Sequence, residues 1–294
     1  MAPAFFDLSA RAKLRLTGAD RVRFLNGQTT NDVRRARAEA TQESCVLNAK
    51  GHLDAHLFLF ATPNDIWMDV DQELRGQLSI RIERYVIADD VVIEDVTDQF
   101  ALFHVLADSE PKTAAATFCL RSRRLGSEGW DLWVESAGAE KMRNVLAADY
   151  RAMDESEWEV LRIENGIPRW GRELTPEIIP PEANLQMRAI DYEKGCYIGQ
   201  EVISRMKMSG QTRQRLSGLT SGIALVPGME VRAGTKVVGR VTSAVFSQRM
   251  NSYIALAMIK RGYTEPGTSL VTLADGAETT VEVVALPFSS PSSR

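Results

Sequence analysis

Hydrophobic and polar positions alternate in two different ways along this 294-residue chain. Up to about Met208, helix-like and strand-like periods take turns; from about Arg213, short runs rich in β-branched residues and separated by glycine take over. In the first part, strands are predicted at 44–48, 53–60, 66–70 and 91–95. Leu74, Leu78 and Ile82 recur every four residues, the stripe of an amphipathic helix between two of those strands. Phe24 and Leu25 follow Asp20, which fits a helix N-cap. A strand over 130–135 precedes a helix from about Ala139 to Leu146. The next helix has the clearest limits: Asp154 or Ser156 caps its start, Trp158, Leu161 and Asn165 recur on one side, and Gly166 followed by Pro168 stops it. On spacing alone, Arg162 and Glu164 fall on a solvated polar face.

Beyond Arg213, the runs 230–231, 236–246, 253–260, 269–273 and 279–286 read as strands, with Asp275-Gly276 as a hairpin signal between the last two. Five or six short strands in about 75 residues predict a small barrel or sandwich, because closure protects strand edges. The chain is thus expected to be α+β. Its regions are 1–208 and 213–288, joined by Met208-Ser-Gly-Gln-Thr212 and followed by a disordered tail at 289–294.

Composition narrows the partners. With 35 Lys+Arg against 39 Asp+Glu, the net charge of −4 gives no broad footprint for nucleic acid, and the Arg-rich stretches 34–37 and 121–124 read as solvated faces. Met1 to Leu14 lacks a basic start followed by an apolar run, so no secretory signal is expected, and the apolar runs are too short to span a bilayer, so a cytoplasmic protein without membrane contact is expected. Cys45, Cys119 and Cys196 form no C-x-x-C pair, which argues against a disulfide framework or zinc finger, and they fall one short of the four thiolates that hold a conventional iron–sulfur cluster. No resident metal is expected. Phosphate-loop, dinucleotide-turn and H-E-x-x-H motifs are absent.

Candidate chemistry concentrates at 194–201, Lys-Gly-Cys-Tyr-Ile-Gly-Gln-Glu. Its glycines suggest a tight loop feeding a helix near Gly199, whose N-terminal dipole, with Lys194, would favour a thiolate at Cys196. A small buried cysteine is the alternative. Cys45 and Cys119 sit among apolar neighbours and read as core. His52, Asp54 and His56 lie at strand spacing and share one sheet face, either as a metal or acid–base cluster or as ordinary polar surface.

Four stretches together resemble the YgfZ-type folate-binding proteins, relatives of the glycine-cleavage aminomethyltransferase (T-protein). They are Phe24-Leu-Asn-Gly-Gln-Thr-Thr-Asn-Asp-Val33; Arg162-Ile-Glu-Asn-Gly-Ile-Pro168 with Gly171 and Glu173; the 194–201 segment; and Val238-Gly-Arg-Val-Thr-Ser243. The 194–201 element is the specific one, since it separates this branch from the true aminomethyltransferases. The resemblance implies a folate-binding region around a central cavity, followed by a C-terminal β-barrel. It implies tetrahydrofolate as ligand, and a role in assembly or repair of iron–sulfur clusters on client enzymes, including some that modify tRNA. Carried across by position, Glu164 meets the pterin, Cys196 is the functional thiol, and Arg162, Lys194, Tyr197, Gln200 and Glu201 accompany them as ligand-binding or loop-holding residues.

One departure bears on activity. Aminomethyltransferases carry a carboxylate pair on the strand matching 50–58; aligned on Gly51, those positions fall at Ala55 and His56, with Asp54 one residue early. The resemblance therefore favours folate binding without the parent reaction. A folate-dependent one-carbon transferase or demethylase using Asp54 or His56 is the enzymatic alternative, and a module that delivers or senses folate, with a structural Cys196, is a third reading.

Overall fold

The structure, a computed structural model, describes residues 3–113, 115–210, 212–274 and 277–289. The expected Asp275-Gly276 turn and the tail 290–294 lie outside the described residues. In chain order the elements are β1 Ala4–Asp7, β2 Ala12–Thr17, α1 Arg21–Gln28, β3 Gln42–Leu47, β4 Leu53–Ala61, β5 Ile66–Val70, α2 Arg75–Glu83, β6 Val92–Asp95, β7 Phe100–Leu106, β8 Phe118–Ser122, β9 Gly129–Glu135, α3 Ala139–Asp149 and β10 Arg151–Ala152. They continue with α4 Glu155–Glu164, α5 Gln200–Ser209, β11 Gln214–Ser221, β12 Glu230–Ala233, β13 Lys236–Ser247, β14 Ser252–Lys260, β15 Ser269–Ala274 and β16 Ala277–Val284. Among the described residues, no helix is long and apolar enough to cross a membrane.

The expected linker does lead into the barrel, at β11, but the compact units do not divide there. One unit combines Met1–Asp154 with Gln186–Ser204, and the other combines Glu155–Leu185 with Arg205–Arg294. The returning segment is held by backbone bonds to its own unit: Asp191 N–H donates to Thr30 O and Ile198 N–H to Gly27 O. In the other unit, α4 packs on β13 and β14.

The first unit contains two five-stranded sheets, ordered β10-β1-β7-β9-β8 and β3-β4-β5-β2-β6. Strand β4 buries Leu53, Ala55, Leu57 and Leu59 on one face and His56, Phe58 and Phe60 on the other. It is covered on both sides, which its long apolar run allows. Phe60 meets Phe118 and Trp133 edge-on, at centroid distances of 4.9 and 5.5 Å, and Trp67 meets Trp133 at 6.0 Å, so an aromatic cluster joins the two sheets.

A buried charge network also links them. Arg124, expected on a solvated face, is only 3% exposed. Its Nη2 donates to Asp69 of β5 at 2.6 Å and its Nε to Asp131 of β9 at 2.9 Å, while Asp131 also pairs with His104 Nδ1 at 2.7 Å. Burial opposes every one of these charges, yet the pairing outweighs it: both carboxyls are held below their usual range and Arg124 above its own. Asp20 also departs from expectation. It does precede α1, but its carboxylate accepts the Asp90 N–H and makes no cap bond within the helix.

In the second unit, six strands close a barrel in the order β11-β14-β13-β12-β15-β16. Leu219, Val231, Val238, Val241, Ile259, Val281 and Val283 fill it. Between Val241 and Ser243 the register of β13 against β14 slips, a bulge that re-aims the following side chain.

Candidate functional site

The 194–201 segment is a loop wedged against the β3–β4 turn. Gly199 has φ +84°, and a Cβ there would lie 2.7 Å from Asn48 O. Gly51, in the turn, has φ +78°, and its Cβ would lie 2.9 Å from Val202 Cβ on α5. Two backbones approach here that only glycine permits.

Lys194 is 5% exposed and its Nζ donates to three carbonyls, of Asn26 at 2.7 Å, Thr29 at 2.6 Å and Asn31 at 2.8 Å. These belong to the C-terminal end of α1 and the turn after it, where carbonyls lack helical partners and a cation is favoured. Burial lowers the Lys194 pKa to about 8. The ammonium also lies 5.1 Å from the Tyr197 ring centroid, and Tyr197 is buried, which raises its phenol pKa. The lysine expected to activate the thiol is thus a staple for the loop, with its three donors directed at backbone.

Cys196 lies between these two buried anchors and is itself exposed. The other cysteines differ from it. Cys45 is fully buried and Cys119 half-buried; burial pushes the first thiol's pKa up and carries the second to about 12. Gln200 opens α5 and its N–H donates to Tyr197 O at 3.2 Å, while Glu201 is exposed in the first helical turn.

In the second unit, Arg162 and Glu164 overturn the solvated-face expectation, each being 3% exposed at the end of α4. Gly166 at φ +67° turns the chain out of the helix, as its sequence position suggested. Glu164 Oε2 accepts from Arg249 Nε at 2.8 Å, and its Oε1 accepts from Ser247 Oγ. Each oxygen keeps a second lone pair, so the carboxylate fits a ligand bearing paired N–H donors such as a pterin. Arg162 fits less well. Its five N–H groups go to both Glu159 oxygens, to Ile167 O at 2.7 Å, to Glu173 at 3.0 Å and to Ser243 Oγ at 2.7 Å, leaving none for a ligand in this arrangement. The bulge in β13 is what aims Ser243 at this guanidinium, and Ser243 in turn donates to Glu173 at 2.6 Å.

The strand residues 52–56 do not form one cluster. Asp54 accepts from Arg81 Nε at 2.7 Å, whereas His56 Nε2 lies 2.7 Å from Glu43 Oε1, and Glu43 is also gripped by Arg188. His52 bonds through its backbone N–H to Asn48. Burial would raise the Glu43 pKa, but the His56 hydrogen bond and the Arg188 charge win and lower it to about 2. Among the described residues, no group of three or more His, Cys, Asp or Glu is placed to hold a metal ion.

Ser247, Arg249, Arg81 and Arg188 were not found from the sequence. The only signal for them is that a buried carboxylate needs partners.

Comparison with known proteins places the architecture first. Residues 214–289 match the family model for the glycine cleavage T-protein C-terminal barrel domain. The crystal structure of glycine cleavage system aminomethyltransferase T from Bartonella henselae superposes on 98% of this chain and 86% of its own, with a TM-score of 0.87 at 17% identity. The fold is therefore aminomethyltransferase-like, with a closed six-stranded C-terminal barrel.

Within that class the similarity runs to the YgfZ branch. The chain is 28% identical over 303 residues to the tRNA-modifying protein YgfZ of Yersinia pestis (strain Pestoides F), covering 95% of this chain and 90% of that protein. It is 27% identical over 303 residues to the YgfZ of Yersinia pseudotuberculosis serotype O:1b, with the same coverage. The resemblance read from the 194–201 segment is thus matched along nearly the whole chain.

Proposed function

We propose that this protein binds tetrahydrofolate and serves as a cytoplasmic accessory factor in assembly or repair of iron–sulfur clusters on client enzymes, among them enzymes that modify tRNA, with Cys196 as its working thiol. The observation that carries the reading is the display of Cys196. It is the exposed cysteine of the three, on a loop pinned by Lys194 on one side and by Tyr197 and Gly199 on the other. A reactive group that must meet a partner needs both access and a fixed position. Glu164 supplies the carboxylate for the pterin, and the name carried by the Yersinia relatives supports the link to tRNA modification.

The transferase reading is less favoured, because both candidate acid–base residues already have partners, Asp54 in an ion pair with Arg81 and His56 in a hydrogen bond with Glu43.

The test pairs two variants of the full chain. Cys196→Ala should bind tetrahydrofolate normally and fail to restore iron–sulfur enzyme activity in cells lacking the protein. Glu164→Gln should lose about 1.5–3 kcal/mol of tetrahydrofolate affinity, the worth of a charge-assisted hydrogen bond. Full restoration by Cys196→Ala would leave a folate-binding module with a structural cysteine, and unchanged affinity in Glu164→Gln would remove that residue from the site.

A further inference from the structure

The first unit contains a cavity of about 720 Å³, within the roughly 300–1,000 Å³ of small-molecule sites. It opens where the two sheets of that unit approach each other. Ala40 bridges Arg121 in parallel, Arg121 N–H donates to Glu39 O and Thr41 N–H to Arg121 O, both at 2.8 Å. The chain entering β3 is thereby laid along edge strand β8, and residues of both line the space. None of them lies in the 194–201 loop or in the second unit.

The wall carries an uneven set of charges. Arg121, Arg123 and Arg188 face Glu43 and Glu128. Glu43 is taken by Arg188 and His56, and Glu128 by Arg123. Arg121 has no carboxylate within ion-pair distance among the described residues, and its guanidinium lies 5.5 Å from the Trp130 ring centroid. Arg188 grips Glu43 through Nε and Nη2 and has Nη1 left over. A protein of net charge −4 thus keeps a local cationic surplus at this cavity.

Two further features define a ligand. Gln42 donates its amide to Asp32 O at 3.0 Å, but its Oε1 is buried and accepts no hydrogen bond among the described residues. An acceptor in that state is costly unless a donor reaches it. Phe58 is held by the Arg124 guanidinium 4.3 Å from its ring centroid, and Met187, 85% exposed, adds an adaptable apolar side chain at the wall.

We propose that this cavity binds a nucleotide-sized organic phosphate. The phosphate pairs with the Arg121 fork and the free Arg188 Nη1, since two guanidiniums suit a dianion better than a single carboxylate. A ring N–H or amino group of the ligand donates to Gln42 Oε1, and its apolar part lies against Phe58 and Met187. The proposal does not depend on the folate reading.

Isothermal titration of the full chain with AMP, with inorganic phosphate and with a five-residue oligoribonucleotide tests it. AMP should bind at least about tenfold more tightly than phosphate, which lacks the donor and the apolar part. Arg121→Ala should weaken AMP by about tenfold or more, with tetrahydrofolate affinity and the thermal midpoint unchanged, and Gln42→Met should weaken AMP by roughly threefold to tenfold with tetrahydrofolate affinity unchanged. Arg121 is exposed, so its variant keeps the fold. The proposal is overturned if AMP, GMP, CMP and UMP all fail to saturate below about 10 mM, if phosphate binds as well as AMP, or if Arg121→Ala binds AMP like the parent. Tighter binding of the oligoribonucleotide than of AMP overturns the small-ligand assignment in favour of RNA.

Discussion

Replacing Lys194 by methionine removes an ammonium while keeping most of the side-chain volume. In the folded chain that ammonium donates to Asn26, Thr29 and Asn31. Hydrogen bonds from a charged donor contribute about 1.5–3 kcal/mol each, so three of them favour the lysine by several kcal/mol. Burial acts in the other direction and lowers the pKa to about 8, so these bonds do not restore all of the hydration that the ammonium gives up. Methionine, however, leaves the carbonyls of Asn26, Thr29 and Asn31 without this donor, at about 1–3 kcal/mol for each unsatisfied buried group, and Lys194→Met should lose about 3 kcal/mol of stability. Urea unfolding at pH 7, followed by far-ultraviolet circular dichroism, measures the loss. Under native conditions Cys196 in the variant should react with iodoacetamide within about threefold of the parent rate, because the ammonium is aimed at carbonyls. Parental stability would refute the staple. A fall of more than about tenfold in thiol reactivity in the fully folded variant would make Lys194 the partner of the thiol after all.

Three further outcomes follow from the same geometry. Glu43 has a folded pKa of about 2 against 4.5 when free. The unfolded chain therefore binds more protons between those values, and the group stabilises the fold above pH 4.5 and loses about 3 kcal/mol as pH falls to 2. Glu43→Gln should flatten that part of a urea-stability series, and an unchanged slope would show that the His56 and Arg188 contacts do not hold in solution. Gly199→Ala forces a side chain into a positive-φ residue beside Asn48 O and should lower stability by about 2–4 kcal/mol in thermal unfolding, whereas a neutral effect would contradict the close approach. Arg162→Met leaves Glu173 buried without its cation and should destabilise by about 3–5 kcal/mol; a loss below about 1 kcal/mol would mean that the guanidinium is not saturated as described.

Five of the six barrel strands were legible from their β-branched runs, and Val281 and Val283 turn inward at strand spacing; Val238 and Val241, three residues apart, both face the core where the register of β12 against β13 shifts. The strand at β2, Ala-Lys-Leu-Arg-Leu-Thr, was not, since Lys13 marks it as half-polar. In the structure Lys13 is fully buried, its ammonium donating to Ser9 O and Arg11 O, so a charge occupies an interior position that pattern alone assigns to solvent. Strands β1, β7, β8, β10 and β11 also went unassigned: β1, β8 and β10 are short, β7 is almost continuously apolar, and β11, Gln-Arg-Leu-Ser-Gly-Leu-Thr-Ser, is mostly polar with a glycine in its middle. At the candidate site, the loop around Cys196 was readable from its glycines, whereas the burial of Arg162 and Glu164 was not. Their partners Ser243 and Ser247 lie 81 and 83 residues away along the chain, beyond the reach of local spacing. Arg124 was misplaced for the same reason, because Asp69 is 55 residues before it.

The chain contributes Met1–Asp154 to one unit, Glu155–Leu185 to the other, returns with Gln186–Ser204, and leaves again. Protein synthesis meets these segments in order. The first unit therefore cannot close on the ribosome until Glu155–Leu185 has emerged, and those residues then wait for the barrel strands that complete their own unit. Cys196 arrives on the last piece of the first unit, so its pinned loop forms only after the second unit has begun. A gene cut at any single point leaves at least one unit missing a segment, which makes this pair of units resistant to separation by one fusion or truncation.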